Sequence, residues 1–287
     1  MPLCKELVKT QCTLTRYGQA FSTAFPALSA TAPPLEFHRE STAAASATGS
    51  GRSFEAAQRP SNGALYPSHV KLGSLQKTTV AVLSAIGASL NPARADLVAA
   101  LGETTGETAL RGMHRRMQAS TTGRKILEER PRITDATMHY AQSLPAGTFG
   151  HAYGDFMRRR NFMASERPPV RFIDDEELAY VAQRSREVHD LWHVLFNCKT
   201  TVLGELALKA VEFVQTGMPM TALSVMGASW RLKAEDRSRL ISELLPWAVH
   251  AGSRSADLMC LYYEKHFEDG LEDVRHRWRI IPAPFER

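Results

Sequence analysis

Four consecutive acids, Asp174, Asp175, Glu176 and Glu177, open a segment whose pattern stays helical through Phe196. Negative side chains in that position sit at the positive end of a helix dipole and favour a helix start. Pro168-Pro169 and an extended piece, Val170-Arg171-Phe172-Ile173, lead into it. The rest of the chain beyond Tyr66 reads as helical too. Asn91-Pro92 predicts a helix start, since Asn caps and Pro suits the first turn, and Gly102 predicts its stop. Residues 104–119 follow, with Leu110, Met113 and Met117 at helical spacing. Further helices are expected at 201–216, 220–231, 233–244, 247–266 and 268–278, punctuated by Gly217, Pro219 and Pro246. Strand signals are weak, because Asn62-Gly63 does not stand between alternating apolar runs, and there is no internal repeat. The expected fold class is all-α, one multi-helix domain after a disordered N-terminal leader.

The formal net charge of +5 is too mild for a nucleic-acid partner, which usually requires a concentrated basic face. Attraction to an anionic lipid surface depends on a local patch and stays open. Cys4, Cys12, Cys198 and Cys260 make neither a disulfide framework nor a thiolate zinc site. The most apolar stretch, Thr78 to Leu90, is too short to cross a bilayer and predicts a core or interfacial helix.

Residues 1–35 carry Lys5, Lys9 and Arg16 against a single early acid, Glu6, and are rich in Ser, Thr and Ala. That composition predicts a mitochondrial transit peptide. Residues 36–65, most clearly Ser41 to Gly63, are Ser/Ala/Gly-rich without a sustained hydrophobic period and predict a flexible linker. The all-helical domain is assigned to residues 66–287.

His189 and His193 lie four residues apart and so stand one turn above each other on the same face. Two imidazoles in that relation can share one cation. Asp190 is offset by about 100° from His189 but only about 60° from His193, and can add an oxygen to the same side. Glu205 would lie about 18 Å from His193 on an unbroken helix. Asn197-Cys198-Lys199-Thr200-Thr201 offers a reversal, since Asn tolerates a helix C-terminus and Thr caps the next helix. If the chain turns back there, two imidazoles and two carboxylates form a mixed N/O site for zinc, iron or manganese. Ordinary hydrogen-bonded histidines would show the same spacing, and an adjacent His-Asp pair also occurs in metal phosphohydrolases, where His151 would have to serve as the upstream ligand. Cys198 reads as a small buried turn residue rather than a ligand.

His189-Asp190-Leu191-Trp192-His193, followed after eleven residues by Glu205, resembles the metal motif of the mitochondrial ubiquinone biosynthesis protein 4 family. So do Tyr66-Pro67-Ser68-His69, Leu101-Gly102-Glu103-Thr104-Thr105-Gly106, Glu129-Arg130-Pro131-Arg132-Ile133, Phe172 to Tyr180, Val214 to Met220, and Leu261-Tyr262-Tyr263-Glu264. The resemblance covers essentially residues 66–287. Two departures stand out: Asn197-Cys198-Lys199 replaces a Gly-Met-Pro type break, and Ser185 stands where an aromatic residue is usual.

The resemblance implies one divalent metal, zinc foremost, with iron or manganese as alternatives, held by His189, Asp190, His193 and Glu205. It implies a lyase acting at ring carbon 1 of a 4-hydroxy-3-methoxy-5-polyprenylbenzoate, by decarboxylation that can be oxidative. The alternative it implies is a lipid-binding scaffold that organises other coenzyme Q biosynthesis proteins in a complex. Either role implies a peripheral location on the matrix side of the mitochondrial inner membrane. A polyprenyl tail needs an apolar groove. Met218, Met220, Leu223, Val225, Met226 and Trp230 read first as plain core, and as that groove second.

Overall fold

The computed structural model describes residues 64–91 and 94–285. The expected transit peptide at 1–35 and almost all of the expected linker lie outside the described residues. Among the described residues the fold is all-α, with no strand and a single isolated bridge between Thr148 and Gly270. The helices are α1 Ser74–Leu90, α2 Ala95–Thr105, α3 Glu107–Ala119, α4 Thr121–Glu129, α5 Asp135–Ser143 and α6 Phe149–Arg160. They continue with α7 Glu176–Leu195, α8 Val202–Thr216, α9 Pro219–Ala228, α10 Ala234–Arg239, α11 Leu245–Arg254 and α12 Leu271–Arg277.

The acid-led helix α7 is the axis of the core. Asp175 caps it, its carboxylate accepting from the backbone N–H groups of Glu177 and Leu178. Its apolar residues Leu178, Val181, Val188, Leu191, Trp192 and Leu195 are buried among Leu110, Met113 and Met117 of α3, Phe149 and Tyr153 of α6, and Leu206 to Val211 of α8. Three of its charged residues are buried or half-buried, and each is paired. Arg184 forms a bidentate pair with Glu264 (2.5 and 2.9 Å), Arg186 meets Glu103 at 2.5 Å, and Glu187 takes Arg132 and the Ile133 N–H at 2.7 and 3.0 Å. A helix buried on most faces is tolerable only when its charges are matched in this way.

Several boundaries differ from expectation. The second helix begins at Ala95 rather than at Asn91 and runs through Gly102 to Thr105. Gly102 does not stop the helix but packs within it, where a Cβ would make ordinary contact at 3.4 Å with the side chains of Met218 and Met220. The expected helix over 247–266 ends at Arg254 and gives way to short 3-10 turns at Leu258–Cys260 and Tyr263–His266. Pro246 does not punctuate. It sits in the first turn of α11, directly after a π-helical stretch, Leu240–Leu244, that absorbs its missing N–H. The set from Met218 to Trp230 is not plain core either, since Leu223, Met226 and Trp230 are exposed and only Thr221 of α9 is buried.

Candidate metal centre

The reversal between α7 and α8 brings the site together. Asn197 takes a left-handed conformation (φ 52°), and the Cys198 N–H donates to the His193 carbonyl at 3.0 Å. Thr201 then caps α8, its hydroxyl accepting from the Gly204 N–H at 3.2 Å. Gly204 is required here, because a Cβ would meet the Lys199 carbonyl oxygen at 2.1 Å. Glu205, in the first turn of α8, therefore faces the histidines of α7.

His189 Nε2 and His193 Nε2 are 3.2 Å apart, with their rings nearly perpendicular at 86°. Glu205 Oε1 lies 3.1 Å from His193 Nε2, and Oε2 lies 3.8 Å from His189 Nε2. Ligand atoms of these three residues fall within 4.8 Å of one another. Around a tetrahedral zinc, with bonds of about 2.0–2.1 Å, two imidazole nitrogens would be about 3.3 Å apart, so the pair is already at ligand spacing.

The other ring nitrogens are committed. His189 Nδ1 lies 2.5 Å from Glu212 Oε1, and His193 Nδ1 lies 3.0 Å from the Cys198 carbonyl. A carboxylate and a carbonyl can only accept, so both Nδ1 atoms carry hydrogen, which leaves each Nε2 as the nitrogen that would present a lone pair to a cation at the shared point. Two lone pairs and a carboxylate directed at one place are a donor set for a cation. Lys209 Nζ holds both oxygens of Glu212, at 3.0 and 2.9 Å. Phe156 stacks on His193 at 5.3 Å between ring centroids, and the Arg160 guanidinium lies 3.8 Å from the Phe156 ring centroid. His193 is buried, whereas Glu205 is half-buried, so the cluster opens to solvent on the α8 side.

Burial alone would raise the Glu205 carboxyl, but the hydrogen bond and charge of His193 outweigh it and hold the group at about 2. Glu212 is likewise penalised by burial and held at about 2, first by Lys209 and then by His189. Both are ionised at neutral pH.

Asp190 is placed differently from the other three. Its Oδ2 accepts from Arg167 Nη2 at 2.6 Å and Nε at 3.2 Å, and it is not among the ligand atoms that converge. Arg167 also reaches the Ile133 carbonyl and the Tyr153 hydroxyl. His151, in the first turn of α6, donates from Nδ1 to the Leu144 carbonyl at 2.8 Å and does not join the cluster, so it does not supply the upstream ligand a phosphohydrolase reading needs. The Cys198 thiol is buried and pushed up by desolvation, so it is the backbone of that residue that serves the site. Glu212 and Lys209 were not singled out in the sequence. The signal that points to them is the spacing 205, 209, 212, one face of α8.

A crevice beside Glu212 is lined by Ala99, Gly102, Ser185, Arg186, Met218 and Met220. It runs between α2, α7 and the start of α9.

Comparison with known proteins places this architecture. Residues 66–284 match the family model described as coenzyme Q (ubiquinone) biosynthesis protein Coq4. The ubiquinone biosynthesis protein COQ4 homologue, mitochondrial, of Homo sapiens is 44% identical over 224 residues, covering 77% of this chain and 84% of that protein. The mitochondrial coq4 protein of Aspergillus terreus is 44% identical over 236 residues, 81% of each chain. A crystal structure of a candidate ubiquinone biosynthesis protein from Nostoc punctiforme shares the fold at a TM-score of 0.57 and 19% identity, covering 70% of this chain and 97% of that one. The chain belongs to the coenzyme Q (ubiquinone) biosynthesis protein Coq4 family.

Proposed function

We propose that the protein acts in mitochondrial ubiquinone biosynthesis as a metal-dependent lyase that removes the carboxylate from ring carbon 1 of a polyprenylated hydroxybenzoate. The observation that carries this reading is the pair of Nε2 atoms 3.2 Å apart, each ring fixed by an acceptor on its own Nδ1 and both faced by Glu205. His189, His193 and Glu205 would hold one divalent metal, zinc foremost. Asp190 is the proposed fourth ligand, and its engagement requires the Arg167 pair to yield an oxygen. The bound metal supplies a Lewis acid for an oxyanion of the substrate.

The remaining work falls to the chain. Glu212, itself held by Lys209, keeps His189 aimed through its Nδ1 so that Nε2 is the nitrogen offered to a metal. Phe156 and the buried face of His193 exclude water from one side, so substrate enters from the half-exposed Glu205 side or through the crevice. In the simple form of the reaction the ring carbon gains one proton as the bond to the carboxylate breaks and carbon dioxide leaves. In the oxidative form a hydroxyl replaces the carboxylate, water supplying its oxygen, while dioxygen takes up two electrons and two protons and leaves as hydrogen peroxide.

Protein purified without added ions should contain about one divalent metal per chain and release labelled carbon dioxide from a carboxyl-labelled prenylated hydroxybenzoate. Oxygen uptake in step with release would assign the oxidative form. Undiminished release by Glu205→Ala, or by chelated protein, would overturn the proposal.

A further inference from the structure

Helix α6 ends in three arginines, and the last behaves unlike the others. Arg158 and Arg159 are exposed and both reach Asp155, at 2.5 and 2.7 Å. Arg160 is half-buried, yet it forms no ion pair among the described residues. A cation in the last turn favours the helix dipole whichever way it points, and one serving that purpose alone would extend into water. Arg160 folds back instead. Its guanidinium lies 3.8 Å from the Phe156 ring centroid, and that ring stacks on His193 at 5.3 Å.

Two hydrogen bonds hold the guanidinium there. Nε donates to Thr200 Oγ1 at 2.9 Å and Nη1 to the Phe156 carbonyl at 3.0 Å, while Nη2 has no partner among the described residues. Thr200 immediately precedes Thr201, the cap of α8, whose first turn carries Glu205. Arg160 is therefore tied on one side to the ring that backs His193 and on the other to the turn that presents Glu205. Burial first, then the charge of Arg159, lowers its pKa, and Glu205, Asp155 and Asp190 oppose them, so the cation sits in the field of the candidate ligands. It stays charged at neutral pH. A half-buried charge without a counter-charge is costly, and an incoming anion relieves the cost. A guanidinium already fixed in place loses little freedom when it takes a carboxylate through its coplanar N–H groups.

We propose that Arg160 captures the carboxylate of the substrate at the mouth of the metal centre and sets the preference for an acid over its neutral counterpart. The identity of the anion rests on the decarboxylation proposed above. The contact is made in the ground state, so its loss raises KM and leaves kcat nearly unchanged. Once the carboxylate has left as carbon dioxide, the ring carries no charge at that position for Arg160 to hold, and product exchanges for substrate.

The probe is a geranylated 4-methoxybenzoate, titrated calorimetrically into the full chain as purified, beside its carboxamide. The methyl ether keeps the ring oxygen from feeding electrons to ring carbon 1, so the acid binds without turnover. Wild type should bind the acid about tenfold or more tighter than the amide. Arg160→Gln should lose that preference by weakening the acid alone, with circular dichroism and metal content unchanged. Arg159→Gln removes the same charge one residue away and should keep the preference. Should Arg160→Gln fail to fold, Thr200→Val, which releases Nε at an exposed position, should reduce the preference and leave amide affinity unchanged. Equal affinity of wild type for acid and amide would overturn the proposal, as would an equal loss of both ligands in Arg160→Gln. So would an undiminished preference in that variant, the result expected if the metal alone held the carboxylate. The titrations involve no turnover, so a lost preference in Arg160→Gln alongside no carbon dioxide release by wild type would refute the decarboxylation and leave the capture standing.

Discussion

At the scale of single residues, the orientation of His189 depends on a group outside the sequence motif. Glu212 fixes its Nδ1, and Lys209 fixes Glu212. Replacing Glu212 by Gln should leave the fold in place but weaken zinc affinity about 10–100-fold in a chelator competition, because the amide can offer its N–H to the ring and permit the wrong tautomer. His193→Ala, which removes a ligand, should cost more in the same assay. The depressed carboxyl of Glu212 carries a pH signature in the metal-free protein. A group held below its ordinary value of about 4.3 stabilises the fold above that value and ceases to do so as pH falls towards about 2. The unfolding midpoint of wild type should therefore drop more steeply through this window than that of Glu212→Gln. Spacing and the break at 197–201 made the approach of Glu205 to the two histidines legible in the sequence as one arrangement among several, and the family resemblance singled it out. Glu212 was not legible, since a carboxylate two turns beyond Glu205 looks like any helix residue until its partner across the interface is known. Asp190 shows the converse. Its offset around α7 allowed it to reach the site, but Arg167, remote in sequence, competes for the same oxygen. Arg167→Gln should raise metal affinity if Asp190 is released to bind, and a fall would confine Asp190 to its ion pair.

At the scale of elements, the site exists because α7 stops where it does. The left-handed Asn197 and the close contact at Gly204 set the angle at which α8 returns. Gly204→Ala should destabilise the protein by about 1–3 kcal/mol in denaturant unfolding, since the new methyl has no room against the Lys199 carbonyl. Metal affinity should fall alongside, because relief of that clash must move Glu205. The acids at 174–177 announced α7 faithfully, as local electrostatics and capping decide a helix start. The same local reasoning failed at 247–266, where Ser255 ends α11 through a backbone turn and the following 3-10 pieces are held by long-range contacts such as Tyr263 to Trp192 at 2.8 Å. It failed again at α9, whose methionines look like core by spacing. Whether an apolar stripe faces inward depends on what lies opposite, and periodicity carries no information about that.

At the scale of the whole molecule, the candidate metal centre lies between two helices whose main packing partners differ. α7 packs with α3 and α6, while α8 packs with α9 and α11. A cation held by His189 and His193 from one and Glu205 from the other binds the folded chain and has no equivalent site in the unfolded one, so its affinity adds to stability. At a free metal concentration one hundred times the dissociation constant the gain is about 2.7 kcal/mol. For a domain of this size each kcal/mol moves the midpoint by about 2–4 °C, so chelation should lower the melting temperature by about 5–10 °C in calorimetry. The control lies in Glu205→Ala. Removing this carboxylate costs the metal-free protein its contact with His193, but it should also abolish the response to chelator, so that the variant melts at the same midpoint whether or not metal is present. If wild type and Glu205→Ala responded alike to chelation, the ion would be bound elsewhere, and the convergence of the two helices would be a hydrogen-bonded junction rather than a metal centre.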